Sequence, residues 1–386
     1  MSKAEVIRKA PVRAPLSLDK AAKVVARSLG MSQDELIQSF RPATWLDLPQ
    51  ILALRQAVLA HDITWDDAAY LSWRYRLSRP GEGAGECWVL MRGNELIGMI
   101  GTEDLTLAVD GVSVDGLRVM DILVPPNMEG KGLGPWLGLT MQSKSVFVLA
   151  VGANANSKRM VERTFEARPN RRTFIHPIGF DHFMAKRLKW PPLAKVAATL
   201  ADWAMVAGRV WLLGHGLNGI TTRKLDHLPD DLPLLLMKST RPDRVEVVRS
   251  MASLNWRLRT PRARFDIWGA WHQGELVGLM VTRPDKQDDG YHSWMIMDVI
   301  LNEGMKPTVL KALLRRVIGA ARAQNAVYLS IVSYRHDLER LLSKVAFVEQ
   351  TWHYRILAWS CTDDVLRDHV NAGADWSFNE VHSDGG

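Results

Sequence analysis

The sequence predicts an α+β fold built twice in tandem, each copy a central mixed β-sheet flanked by helices. Three pairs of matching segments in the 386-residue chain support this. Tyr70-Leu71-Ser72-Trp73-Arg74-Tyr75-Arg76 matches Ser253-Leu254-Asn255-Trp256-Arg257-Leu258-Arg259. Asn94-Glu95-Leu96-Ile97-Gly98-Met99 matches Gly274-Glu275-Leu276-Val277-Gly278-Leu279, and Met120-Asp121-Ile122-Leu123-Val124 matches Met297-Asp298-Val299-Ile300-Leu301. The matches keep their order and are offset by 177 to 183 residues, so chance is a poor account of them.

Each copy reads in the same order of elements. In the first, a helix is expected over 45–59 and a second one ending near Trp73-Arg74. Arg92-Gly93-Asn94 suits a tight hairpin turn between strands over 86–91 and 95–105. The stretch 116–124 is strongly apolar, as a strand covered on both faces would be. A helix from about 135, a strand over 146–151, a helix over 157–165 and a strand near 172–178 complete the copy. The second copy repeats this with a hairpin within 265–280, strands over 294–301 and 327–332, helices over 308–324 and 337–345, and a last strand over 354–359. The implied organisation is a basic helical arm over 1–38, a first domain over 39–190, a linker over 191–217, a second domain over 218–361 and an acidic tail over 362–386.

Composition narrows the class. Hydrophobic residues make up 47% and charged residues 24%, which excludes a mainly disordered chain. With only Cys87 and Cys361, and no CxxC or His/Cys spacing, neither a disulfide framework nor a structural zinc site is expected. No metal is expected, and a reducing, cytoplasmic setting is. Residues 1–30 lack the apolar run of a secretory signal. The net charge is +7, with Lys3, Arg8, Lys9, Arg13, Lys20, Lys23 and Arg27 near the start and mostly acids after 362. A basic arm can serve an anionic membrane, nucleic acid or solubility alone. No aromatic-basic motif accompanies it, so no nucleic-acid partner is expected. Fifteen tryptophans against six tyrosines suit membrane interfaces and large apolar pockets as well as ordinary cores.

The linker 191–217 is apolar except for Lys195, Asp202 and Arg209, which recur every seven residues and form one narrow polar stripe on a helix. A central acid argues against spanning a bilayer. Two readings remain: a helix packed between the domains, or one lying in a membrane interface with Trp203 and Trp211. The basic amphipathic stretch Leu18–Leu29 favours the second slightly.

Chemistry is expected after the apolar strand, at Val124-Pro125-Pro126-Asn127-Met128-Glu129-Gly130-Lys131-Gly132-Leu133-Gly134-Pro135-Trp136-Leu137. A strand ends, a glycine-rich loop turns, and a helix opens with proline in its first turn. Glycines allow close backbone approach, and free N–H groups at a helix start favour an anion such as a pyrophosphate. The sequence is neither a Walker loop nor a GxGxxG fingerprint. In its context of strand, V-x-P, G-x-G and apolar helix, it resembles the acyl-coenzyme A loop of the GNAT superfamily of N-acyltransferases. The resemblance covers about 39–361 and implies tandem GNAT-like domains with acyl-CoA as co-substrate. It implies that the backbone of Gly130, Lys131, Gly132, Leu133 and Gly134 holds the coenzyme A pyrophosphate. Two departures stand out: Glu129 occupies a position where the superfamily usually has Gln or Arg, and Pro135 removes one amide. The second copy has Asn302-Glu303-Gly304-Met305-Lys306-Pro307-Thr308 at the equivalent place, with one glycine and no cradle expected.

Amide formation needs a neutral amine and a base. GNAT enzymes often place a carboxylate on the strand before the loop, which implies Asp121 as the base, with Asp298 its counterpart. The alternative is that both aspartates pair structurally, with the repeated Arg74 and Arg257. The superfamily's tyrosine acid has no counterpart over 154–165, where Asn154 and Asn156 could touch the pantetheine arm. His176, His182 and His215 read more readily as structural than catalytic.

Tryptophan content, apolar linker and basic arm together fit a peripheral membrane enzyme handling a fatty acyl-CoA and a lipid amine, at the inner face of the cytoplasmic membrane. In overall character the chain looks like the bacterial ceramide synthases, which acylate sphingoid bases. Two alternatives stay open: an N-acetyltransferase for an amino-sugar or other small amine in envelope polysaccharide assembly, and a non-catalytic tandem GNAT binding module.

Overall fold

The computed structural model describes residues 17–59, 67–77, 86–151, 160–161, 163–167, 172–188, 190–214, 217, 219–286, 292–350, 357–371 and 375–378. Asn154, Asn156, His215 and the side chains of His182 and Trp211 lie outside what is described.

The first half opens with helix α1 (Leu18–Leu29), capped by the Ser17 side chain and closed by Gly30 at φ 68. Next come α2 (Gln33–Gln38), strand β1 (Phe40–Pro42), α3 (Leu48–Val58) and α4 (Ala68–Arg74). Strands β2 (Cys87–Arg92), β3 (Glu95–Val109) and β4 (Val112–Leu123) form a meander, its first turn using Gly93 at φ 58. Helix α5 (Leu133–Gln142), strands β5 (Phe147–Val151), β6 (Glu166–Ala167) and β7 (Arg172–Pro177), and helix α6 (Asp181–Arg187) follow. Helix α7 (Pro191–Gly214) leads into the second half.

The second half holds β8 (Ile220–Leu225), α8 (Leu232–Ser239), β9 (Arg244–Val247), α9 (Met251–Leu258), β10 (Asp266–His272), β11 (Glu275–Lys286) and β12 (His292–Leu301). It closes with α10 (Lys306–Ala323), β13 (Ala326–Ser333), α11 (His336–Ser343), β14 (Val348–Gln350), β15 (Leu357–Cys361), α12 (Asp364–Asn371) and β16 (Asp375–Ser377). The expected elements that fall on described residues occur in the order the sequence predicts, around two mixed sheets; part of the helix expected over 157–165 and the start of the strand expected over 354–359 lie outside what is described.

The sheets are not private to each half. The first runs β1-β2-β3-β4-β5-β15-β6, with β9 on the far end of β3 and β16 beside β9. The second runs β14-β7-β13-β12-β11-β10-β8. The last strand of each copy has therefore crossed over: β7 pairs with β13, and β15 pairs with β5, both antiparallel. The sequence reading keeps each strand in its own copy, and the structure corrects it. Alternation and β-branching specify that a strand forms; they do not specify which equivalent edge it joins.

The exchange is symmetric, and so is the seam. Trp73 and Trp256, matched in the two copies, stack on each other at 4.9 Å, and Trp73 Nε1 donates to the Trp256 carbonyl at 3.1 Å. Equivalent residues meeting one another is what a two-fold relation requires.

Two terminal regions differ from expectation. The apolar face of α1, with Ala21, Ala22, Val25, Ala26 and Leu29, is buried in the core with Trp136, Leu137 and Met141 of α5, so it is not free for a membrane. In the acidic C-terminal stretch, Trp376 and Phe378 are buried with Phe147 and Trp359 of the first sheet. Charge counts register the exposed faces of such segments and miss the few apolar residues that anchor them.

Candidate acyl-donor loop and acceptor cleft

Strand β4 pairs in parallel with β5 from Gly116↔Phe147 to Val119↔Ala150, where the pairing stops although β4 continues to Leu123. Its register with β3 also slips between Met99↔Leu123 and Gly101↔Met120, and Asp121 at that bulge has φ 47. A bulge bends its strand and re-aims side chains. Among the described residues, the end of β4 has no backbone pairing on the β5 side.

The loop begins at that end. A short turn over Pro126–Met128 is followed by Gly130 at φ 76 and Gly132 at φ 83, conformations that side chains rarely adopt. The Lys131 amide donates to the Met128 carbonyl at 3.4 Å and so shapes the turn. The amides of Gly130, Gly132, Leu133 and Gly134 have no partner among the described residues. Four donors at the start of a ten-residue helix, with the positive end of its dipole, form an anion-binding arrangement. A Cβ on Gly130 or Gly134 would meet nothing within 4 Å, so the space above the loop is open. Glu129 is exposed, where water screens its charge.

Helix α1 braces the loop. Ser28 Oγ donates to the Lys131 carbonyl at 3.3 Å, and a Cβ on Gly132 would stand 3.6 Å from both Val24 and Val25. No motif marked this contact; only the amphipathic pattern of 18–29 hinted that the helix needs a partner.

Asp121 is gripped from the other side. Arg74 Nε lies 2.9 Å and Arg55 Nη1 3.2 Å from its Oδ2, and the Tyr75 hydroxyl donates to it at 2.8 Å. Burial alone would raise its pKa, but Arg74, Arg55 and Tyr75 outweigh that and hold the carboxyl well below the usual carboxylate range. Burial first, then the Asp121 charge, push the Tyr75 phenol up. A carboxylate so stabilised is a poor proton acceptor, and the geometry suits Asp121 to orienting its three partners. The pairing with Arg74 weighed from sequence is present. The counterpart Asp298 is held by Arg249, at 2.9 Å, while Arg257 crosses to Glu103 of the first half.

Between the halves lies a cleft of about 420 Å³, lined by Arg76, Glu103, Asp104, Ser253, Trp256 and Arg257 among others. Glu103 is buried between Arg118, at 2.7 Å, and Arg257. The Arg76 guanidinium lies 4.2 Å over the Trp256 ring and pairs with Glu86 at 2.7 Å. Glu86 Oε2 is buried with no partner among the described residues. Burial, opposed by Arg76 and reinforced by Asp104, pushes the Glu86 carboxyl up to about 7. Sequence reasoning missed Glu86, since nothing at its position distinguishes it from a surface glutamate beginning a strand.

The second copy's junction is closed. Asn302 Oδ1 accepts from the Gly304 amide at 3.0 Å, and Asp337 takes Lys306 Nζ at 2.6 Å, Arg244 Nη2 at 3.0 Å and Arg335 Nη2 at 3.2 Å. His176 is buried in the second sheet, Nδ1 3.2 Å from the Ala346 carbonyl. Among the described residues no group of three or more metal-ligating side chains could hold an ion.

No family model matches the chain, and no curated protein matches it. Solved structures do. A GCN5-related N-acetyltransferase from Anabaena variabilis matches with a TM-score of 0.57 at 11% identity, covering 84% of this chain and 72% of that one. One from Kribbella flavida gives 0.54 at 14% identity, covering 83% and 69%. The N-myristoyltransferase of Saccharomyces cerevisiae, with bound myristoyl-CoA, gives 0.51 at 12% identity, covering 92% and 85%. Coverage this wide includes both sheets. The protein has the GNAT fold, in two copies.

Proposed function

We propose that the protein is an acyl-CoA-dependent N-acyltransferase that moves a long fatty acyl group to a lipid amine, such as a sphingoid base, at the inner face of the cytoplasmic membrane. The four free amides at Gly130, Gly132, Leu133 and Gly134, beside the end of β4, carry this reading. They would take the pyrophosphate, with Lys131 adding charge. The pantetheine arm is an extended chain with amides of its own, and it suits the β5-facing side of Met120–Leu123, which has no partner strand among the described residues. Asn154 and Asn156 are proposed contacts to the same arm. A long acyl chain is supported by the yeast neighbour, which binds myristoyl-CoA.

The acceptor amine enters by the cleft between the halves. Its nitrogen attacks the thioester carbonyl, the C–S bond breaks, the amine proton passes to Glu86, and coenzyme A leaves as a thiolate that water protonates. A carboxyl near 7 suits that transfer better than one held far below it. Asp121 is the positioning group that fixes Arg55, Arg74 and Tyr75 next to the bulge.

A second reading, an N-acetyltransferase for an amino-sugar or similar small amine in envelope polysaccharide assembly, is favoured by the charged side chains of Arg76, Glu103, Asp104 and Arg257 in the cleft lining.

Direct binding of acetyl-CoA and palmitoyl-CoA, below the micelle concentration, separates them. Tighter palmitoyl-CoA binding that Gly134→Glu weakens about tenfold or more is expected. Equal affinities would favour the small-amine reading, and no binding to either would overturn acyl transfer.

A further inference from the structure

Helix α7 leaves one face uncovered. Leu193, Val196, Leu200, Trp203 and Ala207 recur at alternating three- and four-residue steps and are exposed, Leu200 to 66% and Trp203 to 72%. Trp190, just before the helix, is 65% exposed. Ala194 and Ala198 on the opposite face are buried. The helix's acid does not interrupt the apolar face: Asp202 Oδ1 accepts the Phe180 amide of the neighbouring turn at 3.0 Å. A contiguous apolar stripe this long is rare on a surface that meets only water.

Its flanks are mainly basic, with Asp181 of α6 the exposed acid among the described residues there. Lys195 and Arg187 are exposed beside it. Helix α10, against which α7 packs, contains no acid and exposes Arg315, Arg316 and Arg322. No described helix is long and apolar enough to cross a membrane. An apolar face with tryptophans, bordered by cations, is the pattern of a helix lying in the headgroup region.

We infer that the outer face of α7, with the cationic side of α10, docks the protein on an anionic lipid bilayer. The cations decide the occupant. A second copy using the same face would bring these cations against one another across a two-fold axis, whereas anionic headgroups neutralise them. The inference goes beyond acyl transfer, because it requires no coenzyme site.

The test is flotation of the full-length protein with vesicles of phosphatidylglycerol and phosphatidylcholine, without acyl-CoA. Wild type is expected to float with the mixed vesicles and not with phosphatidylcholine alone. Leu200→Ser/Trp203→Ser should weaken partitioning about tenfold or more. Arg315→Glu/Arg316→Glu should weaken it about tenfold, and added salt should mimic that change. These side chains are exposed, so unchanged thermal melting checks that the variants fold. Wild type that ignores anionic vesicles, or variants that bind as well as wild type, would overturn the inference. So would a wild-type dimer that Leu200→Ser/Trp203→Ser turns into a monomer, which would assign the face to a second copy.

Discussion

The two strand–loop–helix junctions occupy equivalent places in the two copies and do opposite things. After β4, Gly130 and Gly132 take left-handed conformations, and four amides have no partner among the described residues. After β12, one glycine remains, and three cations converge on Asp337. The second junction contains its own anion. Asp337 takes Lys306, the first residue of α10, with Arg244 and Arg335, and Asn302 takes the Gly304 amide, so these groups find their partners within the protein. One of those cations, Arg244, lies on β9, which pairs with β3 of the first sheet. The position that could bind a ligand in one copy ties the halves together in the other.

The sharpest way to break this comparison is to empty the second junction. Asp337→Ala removes the carboxylate shared by Arg244, Lys306 and Arg335, all largely buried, leaving Glu303 as the acid beside Arg244 and Lys306, and should destabilise the protein by about 3 kcal/mol in denaturant titration. A drop below about 1 kcal/mol would deny Asp337 its structural role. The pH dependence follows. Burial would raise the Asp337 pKa, but Arg335, Lys306 and Arg244 hold it far below its ordinary 3.8. Its folded-state pKa is depressed, so its stabilisation is present above the unfolded value and is lost as pH falls through and below 3.8. Asp337→Asn should flatten that acid limb of the stability profile.

In the first half, where acyl transfer is proposed, Glu86→Gln should lower turnover about a hundredfold with donor affinity unchanged. Wild type should lose activity with a midpoint near 7 as pH falls, because Glu86 must be ionised to accept a proton. A variant that keeps that limb would remove Glu86 from the reaction.

Gly134→Glu puts a carboxylate where the pyrophosphate is proposed, with no Cβ clash and no left-handed backbone to strain. Acyl-CoA binding should fall about tenfold or more, with thermal stability little changed. Gly304→Glu, at the glycine that precedes the helix in the second copy, should leave binding as it was. Equal losses in both would make the two junctions alike.

The smallest effect is expected at Glu129. It is exposed, so Glu129→Gln should tighten donor binding only about two- to threefold at low salt and not at all at high salt.

The duplicated fold, the meander, the loop at 124–134 and the failure of its counterpart at 302–308 were all legible in the sequence, because each rests on residues close together in the chain. Periodicity is local, and so is a glycine's freedom at a turn. The pairing of Asp121 with Arg74 was legible only as an option, since the repeat brought both residues to notice but not to within 2.9 Å of each other. Everything else about the site depended on distance across the fold. The exchange of β7 and β15 turns on which sheet edge lay nearest, a choice between equivalents that no strand pattern encodes. Asp121 is held ionised because Arg55 and Tyr75 arrive from separate segments, and Glu86 is pushed up because the surrounding fold buries it. A carboxyl carries its chemistry in the sequence, but its proton affinity belongs to the surroundings that folding assembles.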